Sequence, residues 1–528
     1  MSYPDPAHQQ QPWHPQGAPA PQQQAAYYQQ QPPRGRGPIW MIPVAAVAAV
    51  AVLATTVWAS DGVVDDLFGG PSPDTVLPSS SFAYFELDFK PDGGQIANYA
   101  QFVQKLPDVL RDELDEDGED PLKPFVEDEF DYLDYDTEVQ PWLGKRVGAA
   151  AWESEESDEG EPAVALAVAV TDEDAARPAL DKMQSEEDDF AYELRDGFAL
   201  LAESDGMLRD LAAKTGSEGT LDGNQKYVDD IAAIGGGNLA TAWADIKAAS
   251  DAGAELDTGS TTGGDPYSSD PFESGSPGED PELSGRMAMG LRIEADYLEA
   301  RADLFDFSVD GISTKDLDAP EAGIDALGNL PDDTIIAIGG GGVDKLAQQA
   351  WKQNEAEIRQ SSDFADFEEG MNSLGVRLPK GFTDLLGSQT AFGVTGSASS
   401  LGFFGDSGTG DVSFEYRATG GDVGVLENLV GEASGGGYGT PPGVSDENGT
   451  AVVSSGSTGT GKLGTDPVFQ STMEGLEDSN IGLYMDLRAI AEDAGESGAE
   501  QWGALGGSFS YDDGGNISTI GRWAPSNS

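Results

Sequence analysis

LPSSSFAYFELDF, residues 77–89, and LPDDTIIAIGG, residues 330–340, decide how this chain is read. Each opens with Leu-Pro, followed by two small or acidic turn residues and an apolar run. A proline fixes φ and starts a turn, and a short run rich in aromatic or β-branched residues after a turn reads as a strand. A helical stretch follows each: IANYAQFVQKLPDVL from Ile96 and VDKLAQQAWKQNEAEI from Val343, with apolar residues at helical spacing.

Working outward, the order of segments after the two openings is the same. PWLGKRVGAAAW (141–152) matches DLLGSQTAFGVTG (384–396), each Leu-Gly before a strand. PAVALAVAVTDEDAARPALDKM (162–183) and DVSFEYRATGGDVGVLENLV (411–430) are strands leading into helices. FALLAESDGMLRDLA (198–212) answers TAVVSSGSTGTGKLG (450–464), and NLATAWADIKAA (238–249) answers IGLYMDLRAIAE (481–492). Closing strands lie in 286–305 and 503–523. Six matches in one order imply an internal duplication. The expected fold class is α+β: two similar mixed α/β halves, residues 76–320 and 321–525, packed against one another behind one transmembrane helix and a disordered tail. Residues 251–282, rich in Gly, Ser, Pro and Asp, are expected to form a disordered loop that only the first half carries.

The chain has 528 residues and a net charge of −67, without cysteine. Disulfides and thiolate metal sites are therefore excluded. After residue 60 fall 94 of the 95 acids and 26 of the 28 bases, a net of −68. Such a surface repels phosphate backbones, which excludes nucleic acid as a partner. Residues 1–38 are dominated by Pro and Gln and read as a disordered tail. Residues 39–59, IWMIPVAAVAAVAVLATTVWA, lie in an uncharged stretch between Arg36 and Asp61, with Trp40 and Trp58 near the ends. That length matches a bilayer core. Arg34 and Arg36 before it, and Asp61, Asp65 and Asp66 after it, place the N-terminus in the cytoplasm and the bulk outside. Residues 60–75 read as a stalk.

With this layout in hand, LPSSSFAYFELDF, WLGKRVGAAAW and LPDDTIIAIGG resemble the bacterial membrane-anchored family called domain of unknown function 3352, over residues 75–525. The resemblance implies an envelope location and supplies no catalytic residues.

The chemistry-bearing motifs mostly fail on residue type. Gly456–Lys462 has the glycines and lysine of a phosphate loop but Leu463 where a hydroxyl should hold magnesium. Gly339–Gly342 follow a strand, but the third glycine of a dinucleotide fingerprint falls on Asp344. Gly405-Asp406-Ser407-Gly408 resembles a serine-protease nucleophile turn, yet both histidines, His8 and His14, lie in the tail, so no Ser-His-Asp triad exists. Asp115, Asp117, Glu119 and Asp120 are the metal candidates. Proline at position 124 breaks an EF-hand register, leaving at most weak calcium binding. Trp142, Trp152, Trp243, Trp351 and Trp502 are candidates for a sugar platform. No catalytic residue and no cofactor are assigned. The function expected is a non-enzymatic binding or scaffold module of the envelope, its partner an envelope protein or an apolar ligand. The alternatives are a carrier of an apolar ligand between the halves and a carbohydrate-active enzyme using paired carboxylates.

Overall fold

Leu77 and Leu330 are both fully buried, and the prolines after them do the same work in both places. The Ser81 hydroxyl donates to the Pro78 carbonyl at 2.8 Å, and the Thr334 hydroxyl to the Pro331 carbonyl at 2.7 Å. Pro78 bridges to Thr220 and Pro331 to Lys462, while the Leu221 and Leu463 amides donate to the Leu77 and Leu330 carbonyls at 2.9 and 2.8 Å. Each Leu-Pro turn is thus pinned to a later 3-10 turn and delivers the chain into a central strand. This computed structural model describes residues 72–88, 93–111, 123, 126–127, 130–157, 161–187, 189–252, 282–309, 312–316, 320–360, 364–396, 413–434, 441–456 and 459–526.

The strands are β1 (Ala83–Asp88), β2 (Leu143–Trp152), β3 (Ala163–Val170), β4 (Ala191–Arg195), β5 (Phe198–Ala202), β6 (Ala240–Asp245), β7 (Leu283–Ile293), β8 (Leu298–Val309) and the two-residue β9 (Ile312–Ser313). There follow β10 (Thr334–Gly341), β11 (Gln389–Thr395), β12 (Ser413–Thr419), β13 (Gly443–Glu447), β14 (Thr450–Ser455), β15 (Ile481–Asp486), β16 (Ala504–Tyr511) and β17 (Ile517–Ala524). Pairing runs β4-β5-β3-β2-β1-β6-β7-β8 on one side. It runs β13-β14-β12-β11-β10-β15-β16-β17 on the other. Every ladder is antiparallel, and β8 pairs with β17 to join the two runs.

Here the expected fold class is corrected. The α+β halves are not two bodies packed on one another; their strands are hydrogen-bonded into a single antiparallel sheet of seventeen strands. The physical reason is that β8 and β17 each end a run with a free edge, and pairing satisfies both rows of backbone groups at once. Among the described residues no helix is long and apolar enough to cross a membrane. Residues 1–38 and 39–59, on which the tail and span were expected, lie outside the described residues, as do 253–281 of the expected loop.

Local sequence explains the helices. β6 and β15 each end in an aspartate whose carboxylate caps the next helix: Asp245 accepts from the Ala248 amide at 3.1 Å, and Asp486 from the Arg488 amide at 2.9 Å. Such a cap contributes about 1 kcal/mol and turns the chain off the sheet at a fixed residue. Asp172 and Ser204 cap the helices Glu173–Glu186 and Asp205–Glu218 in the same way. One core packs Trp152, Trp243, Phe198 and Leu200 against Leu208 and Leu211 of helix Asp205–Glu218 and Tyr227 of helix Gln225–Ile234. A second packs Leu327, Leu330, Leu463, Phe469 and Tyr484.

Candidate functional site

Side chains alternate across a strand, and directly opposed residues share a face. The ladder can therefore be followed across the sheet. Tyr416, Phe392, Ile338, Leu483 and Gly507 are opposed in turn on β12, β11, β10, β15 and β16. The row continues through Gly521, Ala300, Leu291, Ala240, Leu87, Val147 and Val168. A neighbouring row reads Ile481, Phe509, Thr519, Ala302, Met289, Ala242, Phe85 and Ala149. Neither row holds a charged residue, in a chain whose net charge is −67.

The charges that flank these two rows, Glu86, Arg292, Glu299, Arg301 and Arg522 among them, stand on the opposite face. At the seam, Glu299 is 1% exposed. Its carboxylate pairs with Arg292 and accepts from Arg522 Nε at 2.7 Å. Arg522 also donates to the Glu474 carbonyl, and its guanidinium lies 4.2 Å from the centre of the Tyr297 ring. Asp303 accepts from Arg301 at 2.8 Å and from the Ser518 hydroxyl at 2.6 Å. These contacts couple β8 to β17 and fix their register.

A second polar cluster lies under the first turn. Tyr84 donates to Glu86 at 2.9 Å and Tyr227 to Asp74 at 3.2 Å. Burial lifts both carboxyls above the usual carboxylate range, against hydrogen bonds and the Arg146 guanidinium, which lower it. Both phenols are likewise pushed up, first by burial and then by the neighbouring acids. Arg146 is held by Asp88 at 2.9 Å. The cluster ties the turn Pro73–Thr75 to β1 and helix Gln225–Ile234.

The uncharged face is covered at its ends. Helix Glu173–Glu186 lays Ala176, Leu180 and Met183 beside Val168 and Leu201. Helix Val423–Ser434 lays Leu426 on Ala451 and Val453. Helix Gly93–Val103 brings Phe102 against Trp523 at 5.9 Å, edge to face. Between these covers, Leu483 is 51% exposed, Ile338 47% and Leu505 40%, with Phe392 and Phe509 both at 37%. They occupy four adjacent strands. Fully burying such a side chain contributes roughly 1.5–3 kcal/mol. Five left open in one patch therefore mark a surface built to be covered.

The residues singled out in the sequence are not gathered here. Asp115, Asp117, Glu119 and Asp120, and the turn Gly405–Gly408, lie outside the described residues. Among the described residues no group of three or more His, Cys, Asp or Glu could hold a metal ion. The Gly456–Lys462 loop is answered by a carboxylate: the Gly459 amide donates to Asp333 at 2.6 Å, and Lys462 Nζ to Asn329 at 2.8 Å. An acid thus stands where a phosphate would sit, and a three-residue 3-10 turn, Leu463–Thr465, follows. Gly339, Gly340 and Gly341 are strand residues of β10 rather than a loop. A Cβ on them would lie 2.4–2.6 Å from the carbonyls of Thr390, Asn480 and Glu321, so close backbone approach explains them. Trp152 and Trp243 are buried together in the first core, Trp142 in a second cluster and Trp351 beside Phe364 and Phe382, while Trp502 is half-buried and accepts from the Trp523 indole through its carbonyl; the five form no common platform. The uncharged face itself was missed, although part of its signal is present: in β1, β7 and β12 the charged residues keep to one parity.

Residues 42–200 match the family model described as "Protein of unknown function (DUF3352)". No curated protein and no solved structure matches the chain.

Proposed function

We propose that this chain, whose residues 42–200 carry the DUF3352 pattern, is a non-enzymatic binding module of the cell envelope that captures apolar partners on the uncharged face of its sheet. The observation that carries this reading is the patch of five exposed large hydrophobic residues along the two uncharged rows of the sheet, within a chain of net −67. Isolated exposed apolar residues are ordinary, whereas a contiguous patch in a strongly acidic surface is a recognition feature. The carrier alternative is absorbed rather than opposed: any ligand shared by the halves would lie on their common face, across the seam. Against the carbohydrate alternative stands the burial of four of its five candidate tryptophans, Trp142, Trp152, Trp243 and Trp351.

The proposed location is outside the cytoplasm, held at the membrane through residues 39–59. In support, the family match begins at residue 42, inside that uncharged stretch, so the stretch belongs to the family's shared pattern. Protease added to intact spheroplasts should remove the chain beyond residue 60; a fully protected chain rejects the location.

The binding test uses Nile red, an uncharged dye whose emission shifts to the blue in apolar surroundings. Leu483→Asp combined with Phe392→Asp should weaken dye binding to the full-length chain at least tenfold. Because Phe392 also packs on the Phe414 ring at 5.9 Å, its replacement should lower the unfolding midpoint, and a cooperative unfolding transition establishes that the double variant is folded. Undiminished dye binding by the folded double variant would remove the face from consideration.

A further inference from the structure

We infer that the occupant of the uncharged face is the hydrocarbon chain of an amphiphile with an uncharged or cationic head, lying along the seam over β16, β17 and β8; this rests on the reading of that face as the binding surface. The face is lowest at the seam. Gly507 and Gly521 are directly opposed, and Gly521 is followed by Ala300 on β8. Above Gly521 there is open space: a Cβ built there meets nothing within 4 Å. On one side Leu483 and Phe509 rise from β15 and β16. On the other stand Met289 and Leu291 of β7. The small residues thus form the floor of a shallow apolar trough between two higher walls, closed at one end where Trp523 meets Phe102.

Three occupants compete for such a trough, and the chemistry separates them. A polypeptide strand adds to a sheet through an edge, and β16, β17 and β8 are each paired on both sides. A peptide lying flat on this face would bury amides against side chains that offer almost no hydrogen-bonding partner, the Thr519 hydroxyl being an exception. A second copy of the chain would bring two net charges of −67 together. A hydrocarbon chain needs no hydrogen bonds and loses nothing by leaving water. The same field sets the head group: a carboxylate or phosphate head held at the rim meets an overwhelmingly negative surface, whereas a neutral or cationic head does not.

The experiment is photo-crosslinking of the purified full-length chain with three probes that share a sixteen-carbon, diazirine-bearing chain and differ in head group: glycerol, trimethylammonium and carboxylate. The crosslinked peptides are then identified by mass spectrometry. The glycerol and trimethylammonium probes should label peptides containing β15, β16 and β17, and the carboxylate probe at least tenfold less. Gly521→Phe, which fills the floor while leaving the exposed wall residues in place, should reduce that labelling at least tenfold while Nile red still binds the wall. Equal labelling by the carboxylate probe overturns the head-group assignment and leaves the face as a binding surface. Nile red binding without acyl labelling of these strands overturns the hydrocarbon occupant alone. Loss of both Nile red and acyl binding specificity for this face overturns the proposed function with it. A Gly521→Phe chain that does not fold is replaced by Gly507→Leu, read in the same way.

Discussion

Replacing Arg522 by leucine should lower stability by about 3–5 kcal/mol, the range expected when one partner of a buried ion pair is removed and the other charge is left behind. Glu299, 1% exposed, would keep only Arg292, which reaches it from β7. The denaturant midpoint measures the loss. The informative control is Glu299→Leu combined with Arg522→Leu. Apolar replacement of both partners should recover most of the stability, because no buried carboxylate then remains to be compensated. Arg292 is 21% exposed at its side chain and has Glu294 within 3.8 Å, so it is not stranded in the double variant. A single variant losing less than about 1 kcal/mol, the scale of an exposed pair, would show that the seam is held by its backbone ladder alone.

Trp152→Ala should cost about 3–5 kcal/mol, the usual loss for truncating a fully buried aromatic residue. Its side chain has no exposed surface, and its indole N–H donates to Asp210 at 2.9 Å. Trp152→Phe separates the two contributions: it keeps most of the packing and leaves the carboxylate without its donor, at about 1–3 kcal/mol. Thermal or denaturant unfolding of both variants checks this. A tryptophan serving as a sugar platform would behave in the opposite way, with stability preserved on truncation and carbohydrate binding lost.

What the sequence could reveal was set by the range of the interactions involved. The Leu77-Pro78 and Leu330-Pro331 turns, the strands after them and the capping aspartates at 245 and 486 are local devices, closed within a few residues, and they are legible as such. The joining of β8 to β17 is not: Glu299 and Arg522 are 223 residues apart, and nothing near either residue announces the other. The uncharged face escaped for a different reason. In IGLYMD and GALGGSFSY apolar and small residues occupy both parities, so no alternation marks one side as exposed. In β15 and β16 only the register, which places Leu483 opposite Ile338 and Gly507, separates the two faces. The glycines of β10 look like a nucleotide loop because sequence alone shows their lack of a side chain and not the carbonyls that require it.

The position of β17 bears on how the chain is made. It is inserted between β16 and β8, yet it is the last of the seventeen strands in chain order. During synthesis, β1–β8 and then β10–β16 emerge before the strand that unites them, and through that interval β8 and β16 both present unpaired edges. An open edge recruits strands from other nascent chains unless something guards it, and charged side chains are an effective guard. β8 carries Glu299, Arg301 and Asp303 on one side of that edge. The residues that later lock the register with Arg522 and Ser518 are therefore gatekeepers on the ribosome first, and neutralising them should appear as aggregation of newly made protein before it appears as instability of the finished fold.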